Sequence, residues 1–299
     1  GGGVTTGVEN TLIGGLAGDA LTVGTRNIAL GVGALTADTK GSRSTALGYY
    51  ALASQNFTTA DDIYNTAVGF NAGYAITTGV DNTLIGGLAG DALQDADFNV
   101  AIGKTALGAD TLGSRSVAVG YGTLQTQNFT SATATYNTAV GYNAGGGVTT
   151  GTAQVLIGAL AGDAITDADY NVAVGVAALT ADTLGSRTVA IGHQALSAQN
   201  FTSATNTYNV AVGYDAGAAV TTGVNNTFVG GLAGDALQTG QGNVLVGYNT
   251  STTATNSNYA NVIGNNVSGE QGYTTLGNSS DDIRAVHGNV TWATVSDER

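Results

Sequence analysis

Few residues in this chain could do chemistry. Among 299 residues there are two histidines, His193 and His287, no cysteine, and 21 Asp and Glu against 8 Lys and Arg. Cleavage of a glycosidic bond by paired carboxylates needs two acids held at a set separation. The pair Asp61-Asp62 occurs once, and adjacent residues on an extended chain point apart. Without cysteine there is neither a disulfide framework nor a thiolate metal site. Calcium needs several converging oxygen ligands, and no Gly-Gly-x-Gly-x-Asp run supplies them. No Gly-x-Ser-x-Gly elbow, Ser-His-Asp set or phosphate loop occurs. The expectation is a protein that is not an enzyme and uses neither metal nor cofactor. His193 is expected to be surface filler.

The aspartates that remain recur in step. One set is Asp19, Asp91, Asp163 and Asp235; another is Asp38, Asp110 and Asp182, each five residues before Arg43, Arg115 or Arg187. A local Asp–Arg bridge in a turn is the expected role of the second set. Aromatic residues recur as well, in Gln55–Tyr64, Gln127–Tyr136 and Gln199–Tyr208. Phe57, Phe129, Phe201, Tyr64, Tyr136 and Tyr208 are candidates for surface-contact loops, since aromatic faces stack on sugars. The competing reading is that they pin the loop to the body of the fold. Asn56-Phe-Thr58 and its two copies match a glycosylation sequon, which reads as a coincidence of the repeat.

Composition narrows the classes that could carry such residues. The 47 glycines have no Gly-X-Y period and there is no proline, which excludes collagen. Apolar residues make up 42% and charged ones only 10%, which argues against disorder. The chain has no unbroken apolar run long enough for a membrane span, and no basic-then-apolar leader opens it. A net charge of −13 disfavours nucleic acid, whose phosphates must be neutralised by cations. It favours solubility.

The recurrences have one source. The pattern Asn-x-(Ala/Leu)-(Val/Ile/Leu)-Gly, with Ser44, Ser116, Gln154 or Thr188 standing for the Asn in four copies and Phe228 for the Ala/Leu in one, closes on Gly14, Gly31, Gly48, Gly69, Gly86, Gly103, Gly120, Gly141, Gly158, Gly175, Gly192, Gly213, Gly230 and Gly247. Successive glycines stand seventeen positions apart, except for one step of twenty-one in each set of four. The whole pattern therefore returns as a superrepeat that opens at Gly14, Gly86, Gly158 and Gly230. Val, Ile or Leu always precedes the glycine. The unit is too short for a helical repeat. A β-branched stretch of about five residues, bounded by Asn and Gly, reads as a strand. One strand with its return per unit is one coil of a parallel β-roll or β-helix, each coil burying its apolar face by stacking.

Further expectations follow. Alternate strand residues face opposite ways, and both residues before the glycine are apolar. One face lines the coil and the other needs a partner, for which the simplest candidate is more copies of the same chain, taken here as a homotrimer. The repeating Asn should either ladder from coil to coil or serve only as a turn residue. The four extra residues of each longer interval should bulge from one edge every fourth coil. The period decays after residue 259, so residues 1–259 form the repeat shaft and 260–299 a transition or cap, in which Trp292 packs. Gly1–Gly7 matches Gly145–Gly151 in sequence, which suggests that the chain begins inside a coil of a longer polypeptide.

The Asn-x-Ala-Val-Gly units resemble the head repeats of trimeric autotransporter adhesins, which implies a parallel β-roll of three chains side by side. The stretch Leu276-Gly277-Asn278, Asp282-Ile283-Arg284 and Val290–Arg299 is similar to the junction late in many bacteriophage tail fibres. There, a Ser-Asp-x-Arg motif opens an endosialidase-type intramolecular chaperone domain that trimerises the fibre. The resemblance places that motif at Ser296, Asp297 and Arg299, implies a self-cleavage junction between Ser296 and Asp297, and implies a chaperone domain beyond. Together the two resemblances imply a tail-fibre shaft in the virion that supports host attachment. Its partners would be itself, other tail proteins, and a host surface glycan or protein, with no membrane insertion. The alternatives are a bacterial surface adhesin head and a polysaccharide-cleaving tailspike.

Overall fold

The computed structural model describes residues 1–279, 281–289 and 291–294. Among the described residues every regular element is a strand, and no helix is long and apolar enough to cross a membrane. The chain forms two compact units, Gly1–Ala153 and Gln154–Arg299.

The first unit is a parallel β-solenoid. Three-residue strands at Thr11–Ile13, Ile28–Leu30, Thr45–Leu47, Thr66–Val68, Thr83–Ile85, Val100–Ile102, Val117–Val119 and Thr138–Val140 pair each with the next. The register joins equivalent residues, such as Val100 with Val117 and Ala101 with Ala118. It holds across the longer interval, where Thr45 pairs with Thr66. The second unit repeats this from Val155–Ile157 to Tyr273–Asn278, with Val172 opposite Val189 and Ala173 opposite Ala190. Its parallel stack runs past residue 259. Asn261–Asn265 pairs with Val244–Val246 and then, after a shortened coil, with Tyr273–Asn278, which sets Gly277 opposite Gly264. The topology changes at Ile283–Val286, which joins antiparallel.

The strands stop at three residues because the flanking Asn and Gly do other work. The side chain of Asn27 accepts from the backbone N–H of Ser44 at 2.8 Å and donates to the carbonyl of Gly41 at 2.9 Å. Asn99 does the same with Ser116 and Gly113. The ladder therefore exists, but it links side chain to main chain. Direct amide-to-amide bonds occur between Asn82 and Asn65 and between Asn243 and Asn226. These asparagines are fully buried, so each bond satisfies backbone groups that would otherwise be stranded. The sharp backbone turn falls on the residue before, where Arg26, Tyr64, Phe98 and Arg115 adopt φ of 56–64°.

At the other end the glycine is required. Gly120 has φ of 137°, and a Cβ there would strike the carbonyl of Gly141 on the next coil. Inside the coils, large and small side chains alternate. Leu84 on one strand is followed by Ala101 and Ala118, while the larger Leu107 and Leu124 come four residues after their glycines, where Gly90 stands in the first coil. These alanines and leucines are all fully buried. Each leucine so buried contributes on the order of 2 kcal/mol.

The four extra residues do not simply bulge. They add a second, short parallel pairing to the preceding coil, of Gly113–Ser114 with Thr133–Ala134 and of Gly185–Ser186 with Thr205–Asn206. In the first copy it is a single bridge, Ser42 with Asp62.

Candidate functional site

The strands turn only their middle residue inward. The flanking residues face outward, so each unit presents an apolar sheet face. In the first unit Ile13 is 57% exposed and Ile85 37% exposed, and Leu30, Val68 and Val119 lie along the same column. In the second, Ile157, Ile191, Val229 and Ile263 are exposed on the equivalent column. A monomeric protein rarely leaves a contiguous apolar strip of this kind bare.

An aromatic column borders this face, at the residue directly after the glycine. Tyr49 stacks on Phe70 at 5.5 Å between ring centroids, and Tyr121 on Tyr142 at 5.6 Å, with planes 4° and 8° apart. In the second unit His193 stacks on Tyr214 at 5.3 Å, with Asp215 3.7 Å from Nδ1. His193 thus takes the place of a ring in a stacked pair. Tyr121, Tyr142 and Tyr214 are exposed, and each stacked pair recurs once per superrepeat. The spacing of these rings was readable in the sequence, since each follows one of the repeat glycines. Their pairing was not, because a whole coil of the longer kind separates Tyr121 from Tyr142.

The six aromatics of the inserted segments divide. Phe57, Phe129 and Phe201 are buried, which removes them from any contact surface. The Phe129 N–H donates to Asp110 Oδ1 at 3.1 Å, and its main-chain carbonyl accepts from the Thr111 hydroxyl at 2.8 Å, so the main chain here is tied to the coil beneath while the ring adds its own burial. Tyr64, Tyr136 and Tyr208 are exposed at the corner before the strand. The guanidinium of Arg43 lies over Tyr64 at 5.4 Å. Arg115 and Arg187 lie over Phe98 and Tyr170 on the same corner column, at 5.3 and 5.1 Å.

The expected local bridges from Asp38, Asp110 and Asp182 to the arginines five residues on do not form. These aspartates are fully buried. Asp110 accepts from the N–H of Gly113 and of Phe129 and from Gln127 Nε2, which also donates to Ser116. The side-chain Oε1 of Gln127 accepts from Asn137 Nδ2 at 2.8 Å. The same network joins Asp38 to Gln55 and Asn65, and Asp182 to Gln199 and Asn209. Arg43 pairs instead with Asp62, at 3.0 Å. Burial pushes the carboxyls of Asp110 and Asp182 above the ordinary range, against the opposing pull of their glutamine and backbone donors. The signal missed in the sequence is positional. Asp and Gln stand seven residues after their glycines, where Leu93 and Val148 stand in neighbouring coils, and that position is interior.

The remaining candidates fall apart chemically. Asp61 accepts from the Thr59 hydroxyl while Asp62 is held by Arg43, so the two carboxylates have separate partners. Among the described residues no group of three or more His, Asp or Glu is placed to hold a metal ion. Trp292 is 47% exposed, where packing was expected. Ser296, Asp297 and Arg299 lie outside the described residues. No family model matches the chain, and no curated protein or solved structure matches it.

Proposed function

We propose that this chain is a non-catalytic structural protein of a bacteriophage tail, one of three copies that wind into a fibre shaft supporting attachment to the host. The observation that carries the reading is the outward apolar column with its bordering stacked rings, which recurs along each unit. Three copies that turn these faces together would bury them, as the hydrophobic effect demands. The phage assignment is supported by the similarity of the stretch around Leu276–Arg284 to fibre junctions, and of the final residues to the opening of a fibre chaperone. In this reading the shaft joins other tail proteins, and a host surface glycan or protein is its eventual target.

Native mass spectrometry tests the assembly. Three chains of 29.5 kDa are expected. The double substitution Ile85→Lys with Val119→Lys should return single chains with unchanged β-sheet circular dichroism. A wild-type mass of one or two chains overturns the trimer. Immunogold labelling tests the location. Gold along fibres of phage tails supports the reading, whereas gold on uninfected cells with bare phage would move the chain to a bacterial surface adhesin.

A further inference from the structure

The superrepeats act as controls for one another, and one of them lacks a side chain that its siblings use. Five residues after the first glycine of each stands an aspartate: Asp19, Asp91, Asp163 and Asp235. At the matching position of the next coil stand Thr36, Gly108, Thr180 and Thr252. The Thr36 hydroxyl donates to Asp19 Oδ1 at 2.6 Å, and the Thr180 hydroxyl to Asp163 Oδ1 at 2.5 Å. Thr252, where the repeat is decaying, turns its hydroxyl to the carbonyl of Ala254. In the second superrepeat there is no hydroxyl to donate.

The change is local. Ala106-Leu107-Gly108-Ala109-Asp110 reads against Ala34-Leu35-Thr36-Ala37-Asp38 and Ala178-Leu179-Thr180-Ala181-Asp182, with only the middle residue altered. Where the threonine would be, an open pocket of about 230 Å³ is lined by Leu88, Asp91, Thr105, Gly108, Ala109 and Gln125. That is far more than one water needs. A Cβ on Gly108 would sit 3.2 Å from the Thr105 carbonyl oxygen and 3.5 Å from Asp91 Oδ1. The Asp91 carboxylate keeps a bond to its own backbone N–H, and burial pushes its pKa above the ordinary range. The rim is changed too: Gln125 replaces Ala53 and Ser197 of the sibling coils, which brings an exposed amide to the pocket.

We infer that this pocket binds a neutral saccharide, one ring hydroxyl donating to Asp91 in the place of the missing threonine hydroxyl. The aliphatic face of the ring lies against Leu88, and a second hydroxyl meets the amide of Gln125. The chemistry selects this class. An anion would be repelled by Asp91 and by a chain of net charge −13. A hard divalent cation would want more carboxylates than the single one lining the pocket. An apolar ligand would strand Asp91 and Gln125 without partners. The site does not rest on the fibre reading, since all its residues lie within one unit of one chain.

The test uses the whole chain and saturation-transfer NMR with methyl glucoside, methyl galactoside, methyl mannoside and N-acetylglucosamine, each on the order of 10 mM. At least one should receive saturation. The signal should weaken roughly tenfold or more in Gly108→Thr, which restores the sibling contact. The melting temperature should hold or rise. Gln125→Ala, which installs the first superrepeat's residue, should weaken the same signal and serves if Gly108→Thr fails to fold. No saturation of any of the four sugars, or saturation undiminished in both variants, overturns the inference. A native mass of one chain would leave it standing.

Discussion

The residue with most at stake in this molecule is a glutamine. Gln127 donates to Asp110 and Ser116 and accepts from Asn137, all without solvent. Gln127→Ala leaves a buried carboxylate and a buried amide short of a partner, and should cost about 2–3 kcal/mol, read as a lower guanidinium midpoint. The exchange of roles in Asp110→Asn with Gln127→Glu keeps a donor opposite every acceptor. The pair should therefore lose less than the sum of its single variants, and simple additivity would show that the network is not coupled. The carboxyls of Asp110 and Asp182 also set a pH response. Burial raises both above 3.8, so the folded chain holds these protons more tightly than the unfolded one. Their contribution is fully present below 3.8 and is lost as pH rises through the raised folded values. Asp182→Ala should flatten the slope of stability against pH in that interval; an unchanged slope would refute the assignment. None of this network was legible from Asp110 and Arg115 taken as a pair, because five-residue spacing suggests a turn. It becomes legible once Asp110, Gln127, Leu93 and Val148 are seen to share one position in the coil.

At the scale of elements, the strand column was read correctly in place and direction and misjudged in length. The Asn carbonyl and the Gly N–H that bound each repeat still bond to the neighbouring coils, but the Asn side-chain bonding and the positive φ of the Gly end the regular pairing at three residues. The inserted segment was legible as a longer interval but not as a strand, since Thr133-Ala134 pairs through backbone alone. Phe129 is the side chain that holds it down. Phe129→Ala should cost about 3 kcal/mol of local stability. Proteolysis should then cut between Asn128 and Tyr136 while the coils beneath stay protected from hydrogen exchange. Uniform loss of protection across the unit would mean that the insert is part of the global fold rather than an attachment to it. The exposed Tyr136 shows why the aromatic residues of one insert need not share a role: Phe129 is buried against the coil, Tyr136 stands at the outer corner.

For the molecule as a whole, the sequence spoke clearly about repetition and hardly at all about chemistry, and the one pocket proposed to bind a ligand lies where Gly108 and Gln125 depart from the repeat. The buried Asp–Gln pair has a further consequence, for inheritance. Asp110 and Gln127 sit on adjacent coils and satisfy each other only in that order. Removal of the segment from Lys104 to Gly120 would take away one coil and stack Gln127 on the coil of Leu93, leaving the amide to face an aliphatic wall. Removal of the segment from Val32 to Gly103 takes away four coils and leaves the Asp110–Gln127–Asn137 network with its own partners on adjacent coils. The shorter deletion should fold less stably than the longer one, a comparison that thermal melting decides. Unequal crossing-over within such a gene would therefore be filtered by chemistry: lineages can gain or lose length, but the ruler on which they do so is graduated in fours.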